Sequence, residues 1–156
     1  MPHRFNHMEL TFPKGTLDDA ARRDIGAFYN EMFGWNGFDV ELFKQTNFIL
    51  TGTDESQHFI LLAEADKHVT SPGYDHLGIL CDTREEVDEL LERAKRWREK
   101  DDRVRILEFE KDLVQGRVTV HAFYVKYLLP IFFDVQVIEY APGGEPAKTW
   151  QYVTRS

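Results

Sequence analysis

Two stretches of this chain repeat the same order of structural signals, and each begins with a histidine. NHMELTF, which carries His7, alternates polar and apolar side chains as a half-buried strand does, and an amphipathic helix ending in FYNEMFGW follows it. DHLGILC, which carries His76, precedes a second amphipathic helix, TREEVDELLERAKRW. Three more strand-like segments come after each helix. A repeat unit of about 65 residues is longer than a solenoid repeat, so it predicts a pseudo-symmetric domain.

The repeated order predicts the fold class. We expect an α+β protein of two βαβββ modules, which form a curved mixed sheet with an open groove. The 156 residues fit one domain, with module one at about 5–66, module two at about 74–140 and a turn-rich tail at 141–156. Within module one, TDES at 53–56 predicts the hairpin turn between the last two strands.

The composition excludes several classes of protein. The formal net charge is −8 and the pI is about 5.2, which is opposite to the basic surface that nucleic-acid binders carry. No stretch approaches the ~20 apolar residues of a membrane span, and the first residues contain no apolar signal segment. Cys81 is the only cysteine, which excludes a disulfide within the chain. We expect a cytoplasmic protein with neither a nucleic-acid nor a membrane partner.

Capping signals predict where the two helices begin and end. Thr16 and Asp19 have the spacing of a capping box, and so do Thr83 and Glu86. A helix should therefore start after each threonine. Gly34 follows the first helix and supplies the left-handed residue that commonly ends one.

These features together resemble the vicinal oxygen chelate superfamily, which includes glyoxalase I, extradiol ring-cleaving dioxygenases, fosfomycin-resistance transferases and bleomycin-binding proteins. The resemblance covers about residues 6 to 140. It rests on the histidine that opens each module and on a carboxylate in the final strand. It rests also on FYNEMFGW, which is similar to the superfamily pattern F-Y-x-x-x-L-G-[FW] with Phe33 in place of the leucine. The resemblance implies metal ligands in the first and fourth strands of each module.

Carried over to this chain, the resemblance implies a metal site with three protein ligands. The first-strand ligands match His7 and His76, and the carboxylate of the last strand matches Asp134. The fourth ligand position falls on Leu61, which cannot bind a metal. Two histidines and one carboxylate suit Fe(II) or Mn(II), with Ni(II) or Zn(II) as alternatives, and leave coordination positions open. The implied substrate is a small molecule that chelates the metal through two adjacent oxygen atoms.

The leading activity that the resemblance implies is ring cleavage by a dioxygenase. Extradiol enzymes have a tyrosine about ten residues before the carboxylate, which matches Tyr124 here. They also have a second histidine in the loop between modules, which matches His68. These two catalytic side chains would orient a catecholate and transfer protons.

Other activities stay open. A glyoxalase-type lyase or isomerase resembles a four-ligand site, which this chain supplies only if His58 or Glu64 takes the place of Leu61. A bleomycin-type protein binds a cationic drug without metal, and a charge of −8 with 13% aromatic residues suits that role. A fosfomycin-type transferase is disfavoured, because no cationic residue follows Asp134 until Lys148.

A homodimer is expected as the assembly. The sequence leaves open whether the groove lies within one chain or between two subunits. The apolar turn YLLP at 127–130 is expected either to close the groove or to pack against a partner subunit.

Overall fold

The computed structural model describes residues 5–52 and 58–147, so the predicted turn at 53–56 and the end of the tail lie outside the described residues. The elements of module one are β1 (His7–Phe12), α1 (Asp19–Phe33), β2 (Asn36–Leu42), β3 (Gln45–Thr51) and β4 (Phe59–Glu64). Those of module two are β5 (His76–Leu80), α2 (Arg84–Lys100), β6 (Arg105–Glu108), β7 (Leu113–Gln115), β8 (Val118–Lys126) and β9 (Phe132–Tyr140). The predicted βαβββ order is confirmed. Strand β7 was not predicted, because its three exposed residues show no apolar alternation.

The strands form two mixed sheets, one from each module. Sheet A has the order β1-β4-β3-β2, and sheet B has the order β5-β9-β8-β6, with β7 paired to β8. In each sheet the first strand is an edge strand that runs parallel to its neighbour, and the other pairs are antiparallel. Within the described ranges, no strand of sheet A pairs with a strand of sheet B. The α+β class is therefore confirmed, with the two modules joined through their helices.

Strand register makes the two modules equivalent residue by residue near their histidines. Strand β1 pairs in parallel with β4, and β5 pairs in parallel with β9. Each pairing begins at the histidine. The predicted equivalence of Leu61 with Asp134 is confirmed by this register. The equivalent positions in sheets A and B are His7 and His76, Phe59 and Phe132, Glu9 and Gly78, and Leu61 and Asp134.

Helix α1 begins at a cap other than the predicted one. Its N-cap is Asp18, whose side-chain oxygen accepts a backbone N–H of the first turn at 2.8 Å. The predicted capping box of Thr16 and Asp19 is therefore wrong, and the Thr16 hydroxyl instead donates to a carbonyl of the preceding turn. Aspartate caps at least as well as threonine, so the aspartate nearer the helix prevails. The end of the helix at Gly34, with φ of 69°, is as predicted.

Helix α2 begins with the predicted capping box. The Thr83 hydroxyl accepts the Glu86 amide, and the Glu86 carboxylate accepts the Thr83 amide in return. Val87 and Ala94 of this helix are buried in the core shared with sheet B. Neither described helix is long and apolar enough to cross a membrane.

One hydrophobic core joins the two modules. The fully buried ring of Phe133 in β9 packs against Tyr29 and Phe33 of α1, and against Trp35. The Tyr29 hydroxyl donates to the carbonyl of Tyr127 at 3.1 Å, which links residues 98 positions apart in the chain. Because these contacts cross between modules, we expect the chain to unfold as one unit.

The apolar turn at 127–130 packs into this same core. Tyr127 and Leu129 are each only 1% exposed. The Tyr127 hydroxyl donates to Asp101 at 2.6 Å and accepts from Arg103 at 2.9 Å. Tyr127 and Leu129 therefore stabilise the fold of their own chain.

Candidate metal centre

The candidate site lies on the face of sheet B that points away from α2. Odd-numbered residues of β8 and β9, such as Phe123 and Phe133, pack into the core with the helix. Side chains alternate along a strand, so even-numbered residues lie on the opposite face. We call this the open face of sheet B, and it carries His76, Gly78, Leu80, Phe132, Asp134, Gln136, Ala122, Tyr124, Lys126, Arg105 and Leu107.

His76 is held in the tautomer that a metal ligand requires. Its Nδ1 lies 2.7 Å from the backbone carbonyl of Tyr74. A carbonyl oxygen can only accept, so Nδ1 must carry the hydrogen and donate it. In the neutral ring, Nε2 then keeps its lone pair, and this hydrogen bond also fixes the ring orientation.

Asp134 is a buried carboxylate with an unsatisfied oxygen. The residue is 8% exposed, and its Oδ1 has no hydrogen-bond partner within the described part of the chain. Its Oδ2 lies 3.8 Å from Nε2 of His76. Burial raises the pKa of this carboxyl, and the neighbouring His76 offsets the rise only in part. A buried acceptor without a partner costs free energy unless a cation or donor reaches it.

His76 and Asp134 therefore fit two ligands of one divalent cation. The separation of 3.8 Å is too long for a direct hydrogen bond. It is within the ~4.2 Å that two ligand bonds of about 2.1 Å to one ion can span. When the His76 ring is neutral and no cation lies between them, a nitrogen lone pair and a carboxylate face each other. A bound cation would relieve that repulsion and satisfy the orphan oxygen of Asp134.

Tyr124 completes a compact group of three side chains. It lies directly opposite Asp134 across the β8–β9 pair, and its ring centroid is 4.9 Å from that of His76. Burial and the charge of Asp134 raise the pKa of its phenol. The hydroxyl therefore stays protonated at neutral pH and can donate a hydrogen bond beside the candidate ligands. Phe109 and Phe132 contact its ring from either side.

His7, the third predicted ligand, lies on sheet A. Its Nδ1 is 2.8 Å from Oδ1 of Asn6, and its ring stacks on Phe59 with centroids 4.7 Å apart. With Oδ1 as the acceptor, His7 has the same tautomer as His76, so its Nε2 is also open. No three His, Cys, Asp or Glu side chains of the described residues come together as a metal site. One chain thus joins His76 to Asp134 and holds His7 apart from them.

The comparisons with known proteins identify the fold. No protein-family model matches the sequence, and no curated protein matches it. Among solved structures, the fosfomycin resistance protein FosX from Listeria monocytogenes, in complex with Mn(II) and sulfate, superposes with a TM-score of 0.57 at 16% identity, covering 88% of this chain and 93% of that one. A lactoylglutathione lyase from Agrobacterium tumefaciens gives a TM-score of 0.54 at 18% identity, over 88% and 95%. An integron cassette protein of V. cholerae gives 0.53 at 14% identity, over 88% and 96%. The chain has the vicinal oxygen chelate fold.

Among the described residues of this vicinal oxygen chelate fold, only module two pairs its first-strand histidine with a carboxylate of its last strand. The first-strand histidine of module one has Leu61 at the position equivalent to Asp134. A shift of register does not replace this leucine. His58 precedes β4, and Glu64 uses its carboxylate on the other face to accept backbone amides of 15 and 17 at 2.9 and 2.7 Å.

His68, the second predicted catalytic residue, is exposed in the loop between the modules. The backbone N–H of the neighbouring Val69 donates hydrogen bonds to Thr11, which lies at the other end of β1 from His7. The described residues show no hydrogen bond or ion pair from His68 to His76 or Asp134. Its role in catalysis stays a prediction.

Lys126 and Arg105 on the open face of sheet B were missed by the sequence reasoning. They were overlooked because cationic residues were sought only after Asp134, where the next one is Lys148. The strand alternation that places Tyr124 on this face also places Lys126 there, two residues later. Arg105 pairs directly with Lys126 across β6 and β8. The absence of cationic residues between Asp134 and Lys148 holds, but it does not extend to β6 and β8.

A separate cleft of about 740 Å³ lies between α1 and β2, away from these residues. The guanidinium of Arg22 in this cleft already binds Asp39, Asp19 and the carbonyl of Leu17. Its charge is therefore compensated within the chain. This cleft and the His76–Asp134 pair therefore lie in different places. We take the pair on sheet B as the candidate site because of its chemistry.

Proposed function

We propose that this chain is a divalent-metal-dependent enzyme that acts on a small molecule through two adjacent oxygen atoms. The proposal is carried by one observation, the His76–Asp134 pair with its orphan buried oxygen. A bound Fe(II) or Mn(II) would act as a Lewis acid that polarises the substrate oxygens and favours their deprotonation. The vicinal oxygen chelate fold supports this assignment, since the FosX structure with the same fold holds Mn(II).

The side chains of the chain have distinct roles in this proposal. The carbonyl of Tyr74 orients His76, so its Nε2 is preorganised as a ligand. Asp134 supplies a buried negative charge. Tyr124, protonated and in contact with the His76 ring, donates a hydrogen bond to a substrate oxygen and can exchange a proton with it.

We place the third ligand, His7, on a second copy of the chain. β1 and β5 are both edge strands, so each can pair with another chain. Leu80 on β5 is an apolar side chain that is 69% exposed, which favours coverage by a partner. The matching tautomers of His7 and His76 leave both Nε2 atoms open to one ion. A homodimer built in this way has two equivalent sites.

Ring cleavage by a dioxygenase is the leading chemistry. Tyr124 and Phe132 lie beside His76, and Phe109 contacts Tyr124, so the site offers aromatic surface suited to a catechol ring. Glyoxalase-type isomerisation is the second candidate and uses the same proton-transfer group. A metal-free bleomycin-type binder is the competing class, in which Asp134 would bind a cationic drug.

The test begins with the metal content of protein purified without added metal. The wild type should hold about one metal per chain, and His76→Ala and Asp134→Ala should hold almost none. His121→Gln changes a histidine on the helix side of sheet B and is the matched control. Equal and negligible metal in all four proteins would favour the metal-free binder and refute the enzyme.

Two activity assays separate the chemistries once metal is present. Oxygen consumption with a panel of catechols reports ring cleavage. Isomerisation of a thiol hemithioacetal reports glyoxalase-type chemistry. Metal binding without either activity would refute both chemistries while preserving the metal site.

A further inference from the structure

We propose that Arg105 and Lys126 form a subsite for an anionic group of the substrate. The two residues are direct cross-strand partners of β6 and β8. They lie on the open face of sheet B, beside Tyr124. The inference rests on the proposed function and adds a substrate class, namely small molecules that carry a carboxylate, phosphonate or phosphate group.

The first support is an uncompensated charge pair. Like charges placed directly opposite each other on neighbouring strands destabilise a sheet. In the described part of the chain, no carboxylate forms an ion pair with either Arg105 or Lys126. Some other cations of this acidic protein do have carboxylate partners. Examples are Lys14, Arg22, Arg84, Lys95 and Arg103.

The second support is the way Lys126 is held. Its Nζ donates to the carbonyl of Pro130 at 3.2 Å and lies 5.0 Å from the ring centroid of Phe132. These contacts keep the half-buried ammonium over the open face, and neither neutralises its charge. Two of its three donor hydrogens are left for a ligand. A preorganised cation loses less side-chain freedom when it binds an anion.

The third support is the spacing from the candidate metal ligands. Residues on one face of a strand repeat every ~7 Å, and neighbouring strands lie about 4.8 Å apart. Lys126 is therefore about 7 Å from Tyr124 along β8 and about 10 Å from His76 across β9, measured between backbone positions. The long side chains shorten these gaps. One small molecule can therefore chelate the metal with two oxygens and place an anionic group on Lys126 and Arg105.

Both cations can bind the same anionic group. Arginine offers parallel N–H donors to two oxygens of a carboxylate or phosphoryl group, and lysine adds a point charge. A site of this kind also attracts anions locally, although the chain as a whole carries a net charge of −8.

The test uses the full chain after removal of metal by a chelator, so that anion binding is measured apart from metal binding. Phosphate, methylphosphonate and acetate are titrated at constant ionic strength, and binding is followed by calorimetry and thermal unfolding. The variants are Lys126→Met and Arg105→Met. Lys100→Met is the matched control, because Lys100 also lies over an aromatic ring, 5.9 Å from the Trp97 centroid.

The wild type should bind at least one of the three anions, and Lys100→Met should bind that anion with the same affinity as the wild type. Lys126→Met should bind at least 10-fold more weakly, and Arg105→Met several-fold more weakly. Binding of phosphate and methylphosphonate alone would indicate a phosphoryl group, and binding of acetate would indicate a carboxylate. Without anion, both variants should melt no lower than wild type because the like-charge repulsion is gone, so weaker binding cannot reflect unfolding.

The subsite would be refuted if the metal-free wild type bound none of the three anions, or if Lys100→Met lost binding as strongly as Lys126→Met. His76→Ala separates this inference from the proposed function. It should lose metal but keep anion binding. If the wild type binds metal but no anion, only the subsite is refuted. If it binds an anion but no metal, only the metal-dependent enzyme is refuted.

Discussion

Asp134 and Tyr124 stand directly opposite each other on β9 and β8, with both side chains on the open face of sheet B. The charge of Asp134 helps to keep the Tyr124 phenol protonated, and the ring of Tyr124 in turn contacts His76. A carboxylate, a phenol and an imidazole thus share one site, and each can be altered separately.

Tyr124→Phe should keep the metal and lose activity. The phenyl ring retains the contact with His76, whereas the donor and proton-transfer group is removed. General acid–base groups contribute about 10²- to 10⁴-fold, so kcat should fall at least 100-fold with metal content unchanged. Metal analysis and steady-state kinetics on one preparation check this. Unchanged kcat would remove Tyr124 from the chemistry.

Asp134→Asn should stabilise the metal-free protein while it abolishes tight metal binding. The amide is nearly isosteric with the carboxylate and removes a buried charge whose Oδ1 lacks a partner in the described residues. The gain in free energy of unfolding should be about 1 kcal/mol, because burial of a neutral amide costs less hydration free energy than burial of a charged carboxylate. Urea unfolding of both proteins with chelator present measures it. A less stable variant would show that Asp134 is already satisfied without metal.

Mixing two inactive variants should restore part of the activity. His7→Ala and His76→Ala each lose one ligand from every site. If His7 acts from the second subunit, a mixed dimer has one intact site and one site lacking both histidines. Random exchange makes about half of the dimers mixed by simple statistics of paired subunits, so about a quarter of the wild-type sites should return. No recovery after verified subunit exchange would place both histidines in one chain.

The stability of the protein should depend on pH through His121. Its two ring nitrogens contact Asp112 at 2.9 Å and Asp88 at 2.8 Å, so both act as donors in the protonated ring. Burial opposes this charge, but the two carboxylates outweigh it and raise the pKa of His121.

Because the pKa of His121 is raised in the folded protein, its ion pairs stabilise the protein at low pH and not at high pH. The contribution of His121 to stability is complete below about pH 6.5, the pKa of histidine in the unfolded chain. It is lost as pH rises through the pKa of His121 in the folded protein. The wild type should lose a few tenths to about 1 kcal/mol relative to His121→Gln between pH 6 and pH 9, as expected of partly exposed ion pairs. Parallel denaturant titrations across this range measure the difference. A constant difference would show that His121 stays neutral.

Phe133→Ala should destabilise both modules together. The ring is fully buried and contacts Tyr29 and Phe33 of the other module. Truncation of a buried phenylalanine costs about 3–5 kcal/mol. Tryptophan fluorescence and circular dichroism should show one coincident, shifted transition. Two separate transitions would show that the modules unfold independently.

The modules were predicted from local alternation and capping signals, whereas the ligand positions were implied by the resemblance to the vicinal oxygen chelate superfamily. The alternation along NHMELTF and DHLGILC places His7 and His76 at equivalent positions, and the strand pairing gives Leu61 of sheet A the position equivalent to that of Asp134 in sheet B. The start of α1 was missed because Asp18, two residues after Thr16, is an equally favourable N-cap, and it accepts the amide of Ala21. The separation of His7 from His76 within one chain could not be predicted, because alternation within a strand does not specify how two sheets pack.

The edge positions of β1 and β5 have a consequence for solubility. Pairing of β1 in one chain with β5 in another is a heterologous contact, which closes on itself only if the reverse contact forms at the same time. Contacts that fail to close would extend into fibres, because each added chain presents a fresh strand edge. An ion held by His7 of one subunit and by His76 and Asp134 of the other would favour the closed pair. Starving the protein of metal would then promote its aggregation.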